Sequence, residues 1–392
     1  MPQAILAINA GSSSIKFAVY VIAGSELSLI CRGILDHNAA DSQFVIRNPA
    51  GEILPTETSS NPSSDLTRSL IDRVERLLGS NELAAVGHRI VHGGAHFHAP
   101  VLVDSGVMQA LDGLTPLAPL HQPACLAPIR SLLSARPQLP QIACFDTAFH
   151  RDLPPIYRRL PLPLEFEKQG LCRYGFHGLS FEYIARCLKR PDGRTIVAHL
   201  GSGSSLCAIR GGRSVNTTMS LTPLDGVMMT TRSGAIDPGL VLYLVKSAQM
   251  PASAAEDLLY HKSGLLGLSG ISADLRALLA SKETRAREAI DQFCARAAEQ
   301  IAVMATSIDG IDTLVFTGGI GQNSPEIRKN ICTRLGWIGL SFDDDANAGK
   351  GETISTPESQ FEVLVIPTDE ESVIARHAFE IVRQHRQAQQ DR

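Results

Sequence analysis

Short runs of β-branched and apolar residues recur along the chain, each followed by a turn of small residues or by an amphipathic segment. Residues 4–8 (AILAI) and 15–22 (IKFAVYVI) flank the small-residue turn Ala10–Ser14, a pattern that predicts a β-hairpin. Residues 196–200 (IVAHL) lead into GSGSS at 201–205 and then into LCAIRGG, which is the same pattern. The two segments align within a one-residue slip, so they indicate two related α/β halves.

Amphipathic helices are predicted between and after these hairpins. Apolar residues recur at helical spacing over residues 65–78, which follow Ser64 and precede Gly79. A second apolar stripe covers residues 286–309 and ends at Gly310. Strand-like runs that alternate with such helices predict an α/β fold in which helices cover the sheets.

The positions of proline predict a division into two domains. Two Pro-rich stretches bracket the segment QIACFDTAFH, which places a boundary near residue 147. We expect a first domain of residues 1–146 that also takes the last helix, at about 371–392, and a second domain of residues 147–370. The tail from Gln384 onward is polar and is expected to fray.

Composition narrows the class of protein. With 392 residues and 44% hydrophobic content, the chain can bury the cores of two or three domains. Charged residues make up 19% and the formal net charge is −4, so neither nucleic acid nor an anionic membrane is expected as a partner, and a small substrate is favoured. The N-terminus shows no signal-like region, and no window reaches the apolar length of a membrane span. The eight cysteines occur singly, without a C-x-x-C pair, which predicts reduced, mostly buried thiols and a cytoplasmic location.

The first hairpin has the chemistry of a phosphate-binding turn. It combines backbone N–H groups, hydroxyls and one ammonium group around a tight turn, supplied by Asn9, Gly11, Ser12, Ser14 and Lys16. A plain solvent-exposed turn is the alternative interpretation. The segment is not a Walker A loop, because no G-x-x-x-x-G-K-[ST] sequence follows a strand here.

Two further glycine-rich segments offer similar chemistry. The segment HLGSGSS at 199–205 lets the backbone approach a triphosphate closely. The segment LVFTGGIGQNSPEIRKNI at 314–331 follows a strand and opens a helix at Ser324–Pro325, with serine as N-cap and proline as the first helical residue. Either segment alone could be an ordinary connecting turn.

Ten short motifs together carry a resemblance to a known family. In chain order they are INAGSSSIKF, GHRIVHGG, APLHQP, CFDTAFH, RYGFHG, HLGSGSS, TRSGAIDPG, KSGLLGLSG, FTGGIGQNS and IPTDEE. Their order and spacing, over nearly the whole chain, resemble those of the acetate kinases. The resemblance implies an α/β fold of two duplicated actin/hexokinase-like (ribonuclease H-like) domains, with ATP in a cleft between the halves. It also implies reversible, Mg²⁺-dependent (or Mn²⁺-dependent) phosphoryl transfer from ATP to acetate, giving acetyl phosphate and ADP, and a homodimer formed through the second domain.

Physical chemistry explains which residues such a reaction requires. Acetate has a pKa of roughly 4 to 5, like a glutamate side chain, so the nucleophile is already an anion and no general base is needed. The obstacle is repulsion between two anions, which cations and fixed donors must overcome. By resemblance, Arg89 and Arg232 are the active-site arginines and His177 donates to the transferred phosphoryl group. For either arginine a surface ion pair is the alternative.

The resemblance also implies positions for the metal and the phosphates. Asp146 and Glu370 match the family carboxylates associated with magnesium, an ion that takes few protein oxygens. A helix cap is the alternative role for an isolated aspartate such as Asp146. Asn9 would lie at the metal with Glu370, and the phosphates would lie near Lys16, Ser12 and Ser14.

Further residues are implied for the acyl group and the nucleotide. The acyl pocket would be formed by Val91, Leu120, Phe176 and Pro223, although such residues taken alone are typical of a core. Because the valine is retained, we expect acetate to be preferred over propionate. The nucleotide contacts implied by resemblance are His199, Leu200, Gly201, Ser202 and Gly203 in the turn, Asp274, Leu275 and Arg276 on the adenosine side, and Gly319, Ile320, Gly321, Gln322 and Asn323 at the base and ribose.

The chain departs from the family pattern at four positions. Ser202 stands where the family has Asn, Phe181 where it has His, Thr230 where it has Gly, and Gln322 where it has Glu. The branched Thr230 next to the arginine loop is expected to alter rate or substrate choice. Two alternative functions stay open: a propionate or broader short-chain acyl kinase, and a nucleotide-binding scaffold that has lost turnover.

Overall fold

A computed structural model describes residues 3–11, 14–36, 44–54, 66–349 and 351–390. The chain divides into two compact units, of which unit one comprises Met1–Ala148 with Asp369–Arg392 and unit two comprises Phe149–Thr368. Ser12, a predicted phosphate contact, lies outside the described residues.

Strands and helices alternate along both units. The strands are β1 (Gln3–Ala10), β2 (Ser14–Ala23), β3 (Glu26–Asp36), β4 (Phe44–Arg47), β5 (Glu82–Ile90), β6 (Val101–Leu102), β7 (Gln141–Phe145), β8 (Thr195–Leu200), β9 (Ser204–Arg210), β10 (Arg213–Thr217), β11 (Thr313–Thr317) and β12 (Glu362–Val365). The α-helices are α1 (Leu66–Leu78), α2 (Ser105–Gly113), α3 (Gln122–Ala135), α4 (Pro155–Arg158), α5 (Leu164–Lys168), α6 (Gly178–Cys187), α7 (Pro238–Leu242), α8 (Ala252–His261), α9 (Gly264–Ser269), α10 (Leu275–Ala280), α11 (Thr284–Thr306), α12 (Gly318–Asn323), α13 (Pro325–Thr333), α14 (Asp344–Ala348) and α15 (Glu370–Gln390).

Unit one is built on a sheet with the strand order β4-β3-β2-β1-β5-β7-β6. The first three strands of the chain are antiparallel neighbours, whereas β1, β5 and β7 run parallel. The predicted first hairpin is confirmed, because β1 and β2 pair from Ala4 with Val21 to Ala10 with Ile15, and the Gly11 N–H donates to the Ser14 carbonyl at 2.9 Å. The predicted first helix is also confirmed as α1.

Unit two repeats the central part of this arrangement. Its sheet has the order β10-β9-β8-β11-β12, with β8, β9 and β10 antiparallel and with β8, β11 and β12 parallel. The central strands β3-β2-β1-β5-β7 of unit one have the same order and the same relative directions. The duplication that the repeated hairpin predicted is therefore present in the topology.

Helix α15 returns to the sheet of unit one and packs on β1 and β5. A Cβ atom on Gly87 of β5 would lie 2.6 Å from Cγ2 of Ile374, so glycine is what lets the helix approach the strand this closely. Close packing here holds the first turn of α15, which begins at Glu370, against the sheet. Burial of Val373, Ile374 and Ala375 anchors that turn.

Several local predictions differ from the structure. The tail from Gln384, expected to fray, continues as helix to Gln390, because glutamine, alanine and arginine have good helix propensity. The long helix α11 ends at Thr306, three residues before the predicted end at 309. The expected glycine turn before Ser324 is instead the short helix α12. Ser324 does precede α13, but its hydroxyl makes no capping hydrogen bond.

The cysteine prediction is confirmed at the level of the side chains. All eight cysteines are free thiols, and each of them except the exposed Cys187 is buried. In the part of the chain that the structure describes, no helix combines the length and the apolar character needed to cross a membrane.

Candidate active site

In unit one, an arginine and an aspartate form a tight pair at the ends of neighbouring parallel strands. Arg89 lies in β5 and donates from Nη2 to Oδ2 of Asp146 at 2.7 Å, while its Nε lies 3.1 and 3.0 Å from the two carboxylate oxygens. The side chain of Asp146 is 1% exposed and that of Arg89 is 18% exposed, so this is not the surface ion pair of the alternative interpretation. Burial lowers the pKa of Arg89, but Asp146 and Glu370 raise it by more, so the guanidinium stays charged.

The side chain of Asn9 connects this pair to the start of α15. Its Nδ2 donates to Oε2 of Glu370 at 2.8 Å and to Oε1 of Glu371 at 3.0 Å. Its Oδ1 accepts a hydrogen bond from Nη1 of Arg89 at 3.1 Å. Unit one therefore brings together Asn9, Arg89, Asp146 and Glu370, which the sequence places in four separate motifs.

Two acidic side chains, Glu370 and Glu371, stand in the first turn of α15. Burial raises the pKa of Glu371, the neighbouring Glu370 raises it further, and Asn9 and Lys16 act in the opposite direction. Among the described residues no group of three or more His, Cys, Asp or Glu side chains is arranged as a metal cage. Magnesium is commonly held by only one or two carboxylates, with waters and phosphates as its other ligands, so Glu370 with Asn9 beside it fits such an ion.

In unit two, the glycine turn between β8 and β9 lies against the candidate catalytic side chains. A Cβ atom on Gly203 would lie 3.3 Å from Nε2 of His177 and 3.8 Å from Nη1 of Arg232. Glycine therefore allows the backbone of the turn to approach both side chains closely. The structure brings His177, Arg232 and the turn Gly201–Gly203 into one cluster.

Hydroxyl groups orient two stacked histidines next to this turn. The rings of His177 and His199 lie with centroids 4.4 Å apart and planes 20° from parallel. Nδ1 of His177 is 2.8 Å from Oγ of Ser205, and Nδ1 of His199 is 2.8 Å from Oγ of Ser180. Each ring is thus held both by stacking and by a serine.

Arg232 is held in a tightly packed loop. Its Nη1 donates to the Pro223 carbonyl at 3.2 Å, and its guanidinium lies 5.9 Å from the ring centroid of Tyr260. The hydroxyl of Thr230 donates to the Ser202 carbonyl at 3.2 Å. Two of the four departures from the family pattern therefore contact each other and connect the arginine loop to the glycine turn.

The predicted base and ribose loop forms α12 and lies near the same turn. A Cβ atom on Gly201 would lie 3.8 Å from the backbone nitrogen of Gly319.

Sequence reasoning missed Arg328, which is 3% exposed and donates from Nη1 to the carbonyls of Gly321 at 2.9 Å and Gln322 at 3.0 Å. No local pattern signals that Arg328 donates to the backbone of α12, because a single arginine on an amphipathic helix is usually a solvent-facing residue.

The remaining predicted residues have varied surroundings. Asp274 caps α10 by accepting from the Arg276 N–H at 2.9 Å, Leu275 is buried in the core of unit two, and the side chain of Arg276 is 90% exposed. In unit one Lys16 is exposed, Ser14 begins β2, and Val91 is buried. The other residues predicted for the acyl pocket are Leu120, which is partly exposed in unit one, and Phe176 and Pro223, which are buried in unit two.

The topology of the two sheets, with the same central strand order in each unit, defines a duplicated α/β fold. The model of the acetokinase family matches residues 4–376, and the chain belongs to that family. It is 47% identical to an acetate kinase of Rhodopseudomonas palustris, over 97% of this chain and 99% of the relative, and 42% identical to one of Methylocella silvestris, over 98% and 99%. Two solved structures, each 34% identical and each covering 97% of this chain and 100% of the other, are a propionate kinase of Francisella tularensis (TM-score 0.86) and an acetate kinase of Porphyromonas gingivalis (TM-score 0.82).

Proposed function

We propose that the protein is an acetate kinase, which transfers a phosphoryl group reversibly between ATP and acetate with Mg²⁺, or alternatively Mn²⁺. The observation that carries this proposal is the hydrogen-bonded cluster of Asn9, Arg89, Asp146 and Glu370 in unit one. These residues come from four motifs up to 361 positions apart, and the fold joins them into a set of fixed charges of both signs. Membership in the acetokinase family supports the same conclusion.

Each cluster would then perform a definite part of in-line transfer. Arg89, oriented by Asp146, would bind a carboxylate or phosphoryl oxygen through its guanidinium. Glu370, oriented by Asn9, would hold the divalent ion, which neutralises phosphate charge when it is bound. His177 and Arg232 would donate to the equatorial oxygens of the transferred group, and the backbone N–H groups of Gly201–Gly203 would bind the nucleotide phosphates.

The direct test is hydroxamate trapping of acetyl phosphate made from acetate and MgATP. We expect acetohydroxamate to accumulate in proportion to enzyme and time, and its formation to stop when the divalent ion is chelated. Binding of ATP without any acyl phosphate would instead identify a nucleotide-binding scaffold and would contradict the proposed function.

Propionate kinase is a second candidate activity, because the structure is similar to that of a propionate kinase of Francisella tularensis. We propose acetate as the preferred acceptor, because the buried side chain of Val91 would limit the space for a longer acyl group. Relative kcat/KM values for acetate, propionate and butyrate distinguish the two activities.

Shortening Val91 is expected to shift this preference. Val91→Ala should raise kcat/KM for propionate relative to acetate by about 10-fold or more, since one methylene in an apolar pocket is worth about 1–3 kcal/mol. Val103→Ala, a similar truncation of a buried valine in the same unit, is the control and should leave the ratio unchanged. An unaltered ratio in Val91→Ala would show that this residue does not contact the acyl group.

We also propose a homodimer formed through unit two. Leu240, Leu242 and Tyr243, which lie in and just after α7, are 46%, 56% and 59% exposed, and Ile236 and Val245 nearby are exposed as well. A contiguous apolar segment of this kind is typical of a subunit interface.

Charge introduced into this segment is expected to dissociate the dimer. Sedimentation velocity should show a dimer for the wild type and a monomer for the double substitution Leu242→Asp with Tyr243→Asp, because the aspartates would be buried without partners. Trp337→Asp, which changes another exposed apolar residue of unit two, should remain dimeric. A wild-type protein that sediments as a monomer would contradict the proposal.

We further propose a cytoplasmic location. All eight cysteines are free, as is usual for proteins of a reducing compartment. Fractionation of cells that produce the full chain, with blotting of each fraction, is the test, and recovery outside the cytoplasm would contradict it.

A further inference from the structure

A buried histidine that none of the proposed roles uses lies next to the His177 segment. His150 of unit two is 2% exposed. Its Nε2 lies 3.0 Å from the carbonyl oxygen of Phe176, and its Nδ1 lies 2.7 Å from Oγ of Ser214. The ring also makes edge contacts with Phe149 and Phe181, at centroid distances of 5.7 and 5.6 Å.

The partners of His150 determine which nitrogen carries the proton. The Phe176 carbonyl can only accept, so Nε2 must be protonated and must donate to it. In the neutral ring Nδ1 then accepts the hydroxyl proton of Ser214, and the Ser214 oxygen accepts the thiol proton of Cys207, whose Sγ is 3.3 Å away. The hydrogen bonds therefore all run in one direction, from Cys207 through Ser214 and His150 to the backbone of Phe176.

The environment keeps each group in the protonation state that this chain of hydrogen bonds requires. Burial lowers the pKa of His150 to about 4, although the Phe176 carbonyl opposes the shift, so the ring is neutral near pH 7. Burial raises the pKa of Cys207 to about 12, so the thiol keeps its proton.

The backbone that His150 contacts has an unusual conformation. His177 has φ of +56° although it carries a side chain, and Gly175 has φ of +75°. A left-handed conformation is unfavourable for a residue other than glycine, and it persists only where the surroundings enforce it. A Cβ atom on Gly175 would lie 2.6 Å from Cδ2 of His150, so the ring packs directly against this turn.

We propose that His150 is a positioning residue for His177. By donating to the Phe176 carbonyl and by packing under Gly175, it holds the left-handed turn that directs the His177 ring toward Gly203 and Arg232. His150 itself touches no reacting atom in this role. The inference rests on the proposed function, in which His177 donates to the transferred phosphoryl group.

The variants separate the hydrogen bonds of His150 from its packing. His150→Phe keeps an aromatic ring but removes the N–H that donates to the Phe176 carbonyl. His150→Gln keeps a side-chain N–H that can reach that carbonyl. Ser214→Ala removes only the hydroxyl that donates to Nδ1, which makes it the mildest change.

A double-mutant cycle with His177→Ala tests the proposal, with kcat measured at saturating acetate and MgATP. In the wild-type background we expect His150→Phe to lower kcat by about 10-fold to 100-fold, because the His177 ring is no longer held in the geometry that transfer requires, and His150→Gln to restore most of the loss. In the His177→Ala background His150→Phe should change kcat by less than about 2-fold, because residues that act through one another are not additive. KM values for both substrates should stay within about 3-fold of the wild-type values, since His150 does not contribute to the binding of either substrate in the ground state.

Each other outcome contradicts the inference in a recognisable way. An equal loss in both backgrounds would show a general structural role for His150. If His150→Phe does not fold, Ser214→Ala takes its place, and a loss in kcat that does not depend on His177 would overturn the inference equally. Undiminished kcat in His177→Ala itself would overturn the proposed role of His177 as well, whereas acetyl phosphate formation by the wild type tests the proposed function separately.

Discussion

Replacing Arg89 with alanine is expected to lower kcat for acetyl phosphate formation by about 10²–10³-fold, the usual loss on removing a fixed donor to developing charge. The guanidinium is fully charged, and Asp146 holds it through Nε and Nη2. Without it, two anions would have to approach each other with less compensating positive charge. Steady-state kinetics with hydroxamate detection measure the effect.

Two further variants show whether the fork geometry or the charge alone is required. Arg89→Lys keeps the charge but loses the planar donor pair, so we expect an intermediate loss. Arg136→Ala is the control, because Arg136 of the same unit forms an ordinary exposed pair with Glu75 at 3.0 Å. Unimpaired kcat in Arg89→Ala would show that the positive charge of this cluster is not used in transfer.

The same change is expected to affect stability, and this must be measured separately. Asp146 would lose its buried ion pair with Arg89, a loss that typically costs about 3–5 kcal/mol. Urea unfolding of Arg89→Ala beside Arg136→Ala would give the difference. A variant that remains folded at the assay temperature would then report on catalysis alone.

The parts of the fold that sequence alone predicted are those determined by neighbouring residues. Small residues at Ala10–Ser14 and Gly201–Gly203 mark tight turns, and the strands on either side have a continuous apolar pattern, so both hairpins could be located. Helices α1 and α11 were predicted because an apolar stripe recurs at 3.6-residue spacing. The weak similarity of the hairpins was sufficient to indicate duplication.

The contacts that build the candidate site depend on long-range packing and were not predictable. Asn9 meets Glu370 across 361 positions, which requires α15 to return to the sheet of unit one and Gly87 to permit its close approach. Resemblance supplied the residues of this cluster but not their hydrogen bonds. Arg328 and His150 carry no local signal, because each acts on a backbone carbonyl that the fold alone brings near.

Local misassignments have physical causes of their own. Ser324 has the residue type and the position of an N-cap, but the preceding loop is itself helical in α12, and its hydroxyl does not reach the α13 backbone. The polar tail lacks an apolar stripe, yet its intrinsic helix propensity continues α15 to Gln390.

Replacing Glu370 with glutamine is expected to raise the Mg²⁺ concentration for half-maximal activity by about 10-fold to 100-fold, comparable to other losses at metal sites. The amide still accepts the Asn9 hydrogen bond but no longer carries the negative charge that a divalent ion requires. Binding of Mn²⁺, followed by its electron paramagnetic resonance signal in the absence of acetate, measures the affinity independently of turnover.

Glu371→Gln is the matched comparison, because this neighbour accepts from the same Asn9 amide at 3.0 Å. Burial raises the pKa of Glu371, so its ionised form is disfavoured and it is the weaker candidate ligand. The raised pKa also means that Glu371 stabilises the fold at low pH, where it is protonated, and that this stability is lost as the pH rises through the raised value. Glutamine cannot ionise, so Glu371→Gln should remove this loss of stability at higher pH. The same substitution should change the Mn²⁺ affinity by less than about 3-fold, in contrast to the larger effect expected at Glu370. Equal effects of the two substitutions on Mn²⁺ binding would contradict a specific role of Glu370 as metal ligand. The ion would then respond to the summed charge of both glutamates at the start of α15.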